Sequence, residues 1–260
     1  MRKLRIGKIS YANIFPIFYL IERKFDCSRY EFVEAVPSEL NRMLQCGEVD
    51  ISPSSSVEYL RNPDQYSFMP GVSISSRGAV GSVFLFSRIP IDRMSGKSIA
   101  VTKQSATSVV LLEVLLRLAG NIGVTMVPSD RETLESSDAF LLIGDDALLH
   151  ATRIDGSYFV YDLGDIWDRR TGLPFVFALW IYRRNLPEDP HLGEIFRQFA
   201  DDVLRAKKES LLMLPEVAVA SPLAGKLSHD ELLAYWKKID YELDNEHLRG
   251  LQRFRDLAGW

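Results

Sequence analysis

Four short stretches of the chain concentrate hydroxyl and amide side chains: Ser10-Tyr11-Ala12-Asn13, Ser52-Pro53-Ser54-Ser55-Ser56, Ser73-Ile74-Ser75-Ser76-Arg77-Gly78 and Ser105-Ala106-Thr107-Ser108. Each follows a run that reads as a strand or opens one that reads as a helix. Hydroxyls beside the free N–H groups of a helix N-terminus bind carboxylates well, because donors and helix dipole point the same way. Taken singly, each cluster also reads as an N-cap or a turn. Four in one fold point to a pocket for a small polyanion. The candidate contacts are Ser10, Tyr11, Ser54, Ser55, Ser56, Ser75, Ser76, Gly78, Thr107 and Ser108. Arg77 either grips an anion through its two-pronged guanidinium or sits solvated in a turn. Gly144 and Asp145 precede a short helix at Ala147–Ala151, which Asp145 either caps or leaves to face a ligand. Tyr11, Trp167 and Phe175 either wall a slot for a ring or belong to the core.

Other chemistries find little support. The four histidines, His150, His191, His229 and His247, form no HxxxH or HExxH pair, so no metal site is expected. A GxSxG elbow is absent. Gly78-Ala79-Val80-Gly81-Ser82 matches neither GxGxxG nor the Walker pattern. Cys27 and Cys46 make no CxxC, and a single disulfide between them is left open.

Composition narrows the class further. In 260 residues, 47% hydrophobic and 25% charged, 31 Lys and Arg stand against 35 Asp and Glu, a net charge of −4. A chain of this length buries a full core unaided. Its acidic balance argues against a nucleic-acid partner, which would need cationic patches. The longest apolar run, Pro174 to Tyr182, is too short to span a membrane. The N-terminus, from Met1, carries charges but no apolar segment of signal-peptide length, so a cytoplasmic location is expected.

The elements that must position the clusters follow from periodicity. Leu4–Ile9 alternates as a strand, Tyr30–Val36 is a second, and Pro37-Ser38 opens a helix with Ser38 as N-cap and Gly47 as its stop. Val49–Ser52 is a short strand, followed by a helical turn at Val57–Arg61. From about Pro90 a second block gives strands at Lys97–Thr102, Val124–Val127, Ala139–Ile143 and Tyr158–Tyr161, with a helix between Ser105 and Gly120. Beyond Asp189 the chain reads as helical, with a capping box at Ser228–Glu231. Ser82–Ser87 and Phe175–Tyr182 look like extended crossovers between the blocks. The expected architecture is α/β: a two-lobed, type II periplasmic-binding-protein-like fold with two hinge strands and a helical C-terminal segment. Residues 1–88 and 183–260 would form one lobe and 89–182 the other, with the ligand between them.

Several stretches together resemble the chorismate dehydratases of the futalosine route to menaquinone. They are Lys8–Pro16, Val49–Tyr59, Ser75–Val83, Ile143–Leu148 and Trp167 with Thr171–Ala178. The resemblance implies a binding-protein fold used as a cofactor-independent hydro-lyase on chorismate, a dicarboxylate. It places Asn13 and Ser82 nearest the reacting ring, and the Ser54–Ser56 and Thr107–Ser108 clusters near the carboxylates. No residue is marked by its context as a strong base, so the substrate's own enolpyruvyl carboxylate is the expected proton acceptor. Two alternatives stand beside this. One is the sister enzyme that makes 1,4-dihydroxy-6-naphthoate, expected to use a cleft histidine, for which His150 is the candidate outside the tail. The other is a non-catalytic small-anion binding protein.

Overall fold

The computed structural model describes residues 2–154 and 156–260; Met1 lies outside them. The first stretch builds β1 (Leu4–Lys8), α1 (Phe15–Lys24), β2 (Tyr30–Glu34), α2 (Pro37–Cys46), β3 (Ile51–Ser55), α3 (Ser56–Arg61) and β4 (Tyr66–Ser76). The second builds β5 (Val83–Ser87), β6 (Ser98–Thr102), α4 (Ala106–Leu118), β7 (Thr125–Ser129), α5 (Arg131–Ser136), β8 (Ala139–Ile143), α6 (Gly144–Ala151), β9 (Phe159–Asp162) and α7 (Leu163–Thr171). Then come β10 (Phe175–Arg183), α8 (Gly193–Leu212), α9 (Leu214–Ala220), α10 (His229–Trp236) and α11 (Asn245–Ala258).

Two five-stranded sheets result, ordered β2-β1-β3-β10-β4 and β7-β6-β8-β5-β9. In each, four strands run one way, three of them adjacent and joined through helices, and one inserted strand runs antiparallel: β10 between β3 and β4 in the first sheet, β5 between β8 and β9 in the second. Helical crossovers are what parallel neighbours require.

The two strands expected as hinges are instead members of the sheets. Ser82–Ser87 and Phe175–Tyr182 do not bridge the halves; β5 is a member of the second sheet and β10 of the first. Both are apolar on both faces, and such strands are stable only inside a sheet. The sheet-to-sheet passages are the shorter segments 77–82 and 172–174. The change of sheet therefore falls 8–10 residues before the boundary expected at 182 and 6–11 before the one at 88. β4, eleven residues long, carries no clean alternation before Val72 and was not anticipated as a strand. Ser38 is not an N-cap: Pro37 is the first residue of α2, where its missing N–H costs nothing, and Val36 precedes it.

One contiguous apolar core runs through both halves, with a small satellite around Phe86 and Phe140. Trp167 of α7, Phe175 of β10 and Phe254 of α11 meet edge-on, with Phe175 5.1 Å from Trp167 and 4.9 Å from Phe254. Trp167 and Phe175 are therefore core residues rather than walls of a ring slot. The tail packs back on the first sheet, α8 against α1 and β4, and its capping box at Ser228 and Glu231 forms as its spacing requires.

Candidate functional site

The ends of β1, β3 and β8 and the N-terminus of α4 converge on one cleft between the halves, as strand ends and helix starts do in open α/β sheets. Ile9, Tyr11 and Asn13 line it from the segment after β1, Ser55 from β3 and Ile74 from β4. Val80, Ser82 and Val83 come from the passage into β5, Ser105 and Ser108 from the start of α4, and Ile143 and Gly144 from the β8–α6 junction. Pro37, Phe177 and Ala178 complete the wall. The lining encloses about 580 Å³ not occupied by atoms, part of it open to solvent. No side chain in it carries a charge.

Three contacts close the two halves around this space. Tyr11 donates its phenol to Gln104 Oε1 at 2.6 Å, and the Ala12 N–H donates to Asp145 Oδ1 at 2.9 Å. The Ser55 and Thr107 hydroxyls touch between the halves, and Thr107 Oγ1 also accepts the Val57 N–H at 3.3 Å. Ser105 caps α4, accepting the Ser108 N–H at 3.2 Å, and its hydroxyl lies 3.0 Å from that of Ser108. The start of a thirteen-residue helix, with one N–H taken by its cap and two hydroxyls beside it, thus faces the cleft, an arrangement that can receive a carboxylate.

Asn13 and Ser82 meet in the same lining. The carboxamide oxygen of Asn13 is buried with no hydrogen-bond partner; Asn41, Ser54, Tyr66, Trp167 and Trp180 also carry an unpartnered buried atom, but of these residues only Asn13 lines the cleft. Ser82 is held twice: its carbonyl accepts the Gly144 N–H at 2.8 Å, and its Oγ accepts the Tyr235 phenol at 2.9 Å. Burial pushes Asp145 up to about 6, against the pull of its bond from Ala12, with Asp146 adding to the rise. Burial, with Asp145 and Asp146 nearby, lifts Tyr11 to about 12, so it stays a neutral donor at physiological pH. Gly144 adopts φ +61°, and a Cβ there would sit 3.3 Å from the Tyr11 ring; glycine keeps that wall in place.

Of the predicted contacts, the cleft brings together Tyr11, Asn13, Ser55, Ser82, Ser108 and Gly144. The others fall behind the lining or away from it. Thr107 and Ser56 are buried beneath it, 3.4 Å apart, and Ser54 points to the opposite face of β3. Ser10 is exposed. Strand alternation turns Ser73 and Ser75 away from the cleft, where their hydroxyls pair at 2.6 Å, and turns Ile74 into it. Ser76 donates to the Gly78 carbonyl at 2.9 Å, which spends both in a turn. Arg77 is taken up by Asp240, Asp244 and Glu246 on the far side. Asp145 stands behind Gly144 as the partner of Ala12, and Phe177, two residues beyond the predicted Phe175, supplies the aromatic wall. His150 packs edge-on against Phe86, 4.8 Å away, outside the cleft. Among the described residues, no group of three or more His, Cys, Asp or Glu could hold a metal ion, and no helix is long and apolar enough to cross a membrane.

Comparison with known proteins agrees with this architecture. A family model described as menaquinone biosynthesis matches residues 4–259. A Thermus thermophilus protein named chorismate dehydratase is 35% identical over 277 aligned positions, covering 100% of this chain and 96% of its own. A Campylobacter jejuni protein of the same name is 29% identical, over 66% of this chain and 64% of its own. Among solved structures, an Archaeoglobus fulgidus protein superposes with a TM-score of 0.73 at 22% identity, covering 98% of this chain and 96% of that one. The Escherichia coli periplasmic aliphatic sulphonate binding protein gives 0.69 at 18%, over 99% of this chain and 86% of that one. The last of these shows that the chain shares the periplasmic-binding-protein fold.

Proposed function

The chain belongs to the menaquinone biosynthesis family, and from that premise we propose that it is a chorismate dehydratase, a hydro-lyase that converts chorismate to 3-[(1-carboxyvinyl)oxy]benzoate and water. The observation that carries this is the cleft itself: neutral throughout, with an unpartnered amide oxygen on Asn13 and a hydroxyl on Ser82 facing one space. A pocket with no resident anion suits a doubly anionic ring, since it meets no like charge on entry.

The step balances without a redox partner. The C3–H bond of the substrate breaks, its electron pair forms the C3–C4 double bond, and the C4 hydroxyl departs as water, taking up the proton that the carboxylate has received from C3. The ring becomes aromatic, which supplies the driving force. The enolpyruvyl carboxylate of the substrate takes the C3 proton, held against it by the closed cleft; such positioning replaces a strong protein base. Asn13 accepts the hydrogen of the C4 hydroxyl, and Ser82 donates to its oxygen as the C–O bond lengthens. The start of α4, with Ser105, Ser108 and Ser55, receives the ring carboxylate. No cofactor enters this scheme.

Mixing the purified protein with chorismate should yield a product lighter by one water, with the ultraviolet absorbance of a benzoate. Chorismate retained but recovered unchanged would make the protein a binder rather than an enzyme. An analogue without the side-chain carboxylate should turn over far more slowly; an undiminished rate would require a proton acceptor from the protein.

A further inference from the structure

The C-terminal segment from Tyr235 to Tyr241 donates three hydrogen bonds into the wall of the cleft without lining it. Tyr235 reaches Ser82 Oγ at 2.9 Å, Trp236 Nε1 reaches the Ala12 carbonyl at 2.7 Å, and the Tyr241 phenol reaches the Asn13 carbonyl. All three side chains are almost wholly buried. The partners are Ser82 and the two residues Ala12 and Asn13, which set where the Asn13 amide points.

We propose that Tyr235 is a positioning residue that fixes the direction of the Ser82 proton. A serine hydroxyl has one hydrogen and two acceptor sites. With Tyr235 donating to Oγ, the Ser82 hydroxyl makes no other hydrogen bond among the described residues, and its hydrogen is free to serve the cleft, which Ser82 lines. Two further features hold the arrangement. Gly144 N–H anchors the Ser82 carbonyl, so the backbone cannot swing to release the contact. Burial keeps the Tyr235 phenol protonated, hence a donor, far above neutral pH. A donated bond also polarises the hydroxyl that receives it, making the Ser82 hydrogen a stronger donor to a departing oxygen.

This rests on the reading of Ser82 as the group that assists the leaving hydroxyl, and the test separates the two. Tyr235→Phe keeps the ring and its packing and removes the donor. It should lower kcat about tenfold with KM within about twofold, and the loss should vanish when Ser82→Ala is already present. Replacing Tyr235 by 3-fluorotyrosine, a stronger donor of nearly the same size, should raise kcat and so provides a second readout if the phenylalanine variant does not fold. Unchanged kcat in Tyr235→Phe while Ser82→Ala is impaired overturns the inference and leaves the site reading standing. An equal loss in both backgrounds also overturns it, because the phenol would then act on packing alone. Full activity in Ser82→Ala would remove the site reading, and the inference with it.

Discussion

β4 and the segment after it separate two polar regions built on opposite principles. On the cleft side the groups are neutral, and one of them, the Asn13 amide oxygen, has no protein partner. On the outer side the groups are charged and satisfied. Arg77 meets Asp240 at 3.2 Å, Asp244 at 3.0 Å and Glu246 at 3.1 Å, while His247, wholly buried, lies 3.1 Å from Asp240 and 2.8 Å from Asp244. The backbone of Ser75 pairs with that of Asp240, and the same tail segment carries Tyr235 and Tyr241 to the cleft. The lesson is that an internally satisfied charge cluster fastens the tail, whereas an unsatisfied neutral group lining a cleft leaves an acceptor open to a ligand. Arg77, the most obvious anion binder in the sequence, belongs to the fastening.

The largest effect expected from breaking this contrast comes from putting charge into the neutral side. Asn13→Asp should lower kcat/KM at least about 100-fold, close to 3 kcal/mol, with the melting temperature little changed. Steady-state kinetics beside a thermal melt would check it, and near-normal turnover would take Asn13 out of the site.

Asp145 is a carboxylate directly behind the neutral side, bonded to the Ala12 N–H, and burial lifts it from 3.8 to about 6. The folded state then binds more protons than the unfolded one between these values, so its contribution to stability is lost as pH rises from about 4 to 6. Asp145→Asn keeps an acceptor for the Ala12 N–H and removes the buried charge. It should flatten that part of the stability curve and stabilise the protein at pH 7 by up to about 3 kcal/mol. Urea unfolding across this range reads it directly, and an unaltered slope would contradict the assignment.

His247 titrates in a higher window. Burial opposes its charged form, but the hydrogen bonds to Asp240 and Asp244 outweigh that and raise it above 6.5. Its stabilisation is therefore complete below about pH 6.5 and lost as pH climbs through the raised value. His247→Gln should cost about 2 kcal/mol at pH 6 and less at pH 9, because the two carboxylates are partly exposed and tolerate losing a partner. A pH-independent loss would mean that the imidazole is neutral in the folded protein.

The smallest effect belongs to Arg77→Ala. As an exposed ion-pair network it should cost less than about 1 kcal/mol and leave KM for chorismate unchanged. A tenfold rise in KM would return Arg77 to the anion site.

Much of the frame could be read from local pattern, since a period of two marked β1, an unbroken apolar run marked β8 and helical spacing marked α4. β4 escaped because the Pro70-Gly71 pair breaks its alternation, although the strand continues through it. Inside the hydroxyl clusters, residue type was informative and orientation was not. In Ser73-Ile74-Ser75, strand alternation alone would have turned the isoleucine to the cleft once the serines were known to face the tail. Nothing near Tyr235 marks it, because its partner Ser82 is more than 150 positions away.

By itself, the order of residues determined the α/β alternation, the helix starts and the placement of short polar side chains at strand ends, all properties of neighbours within a turn or a pleat. Tertiary structure alone decided which hydroxyls point inward, which sheet receives β5 and β10, and that the tail holds Ser82 and Asn13. Those outcomes depend on burying apolar faces across the whole chain, and a local pattern carries no record of which distant face it will meet.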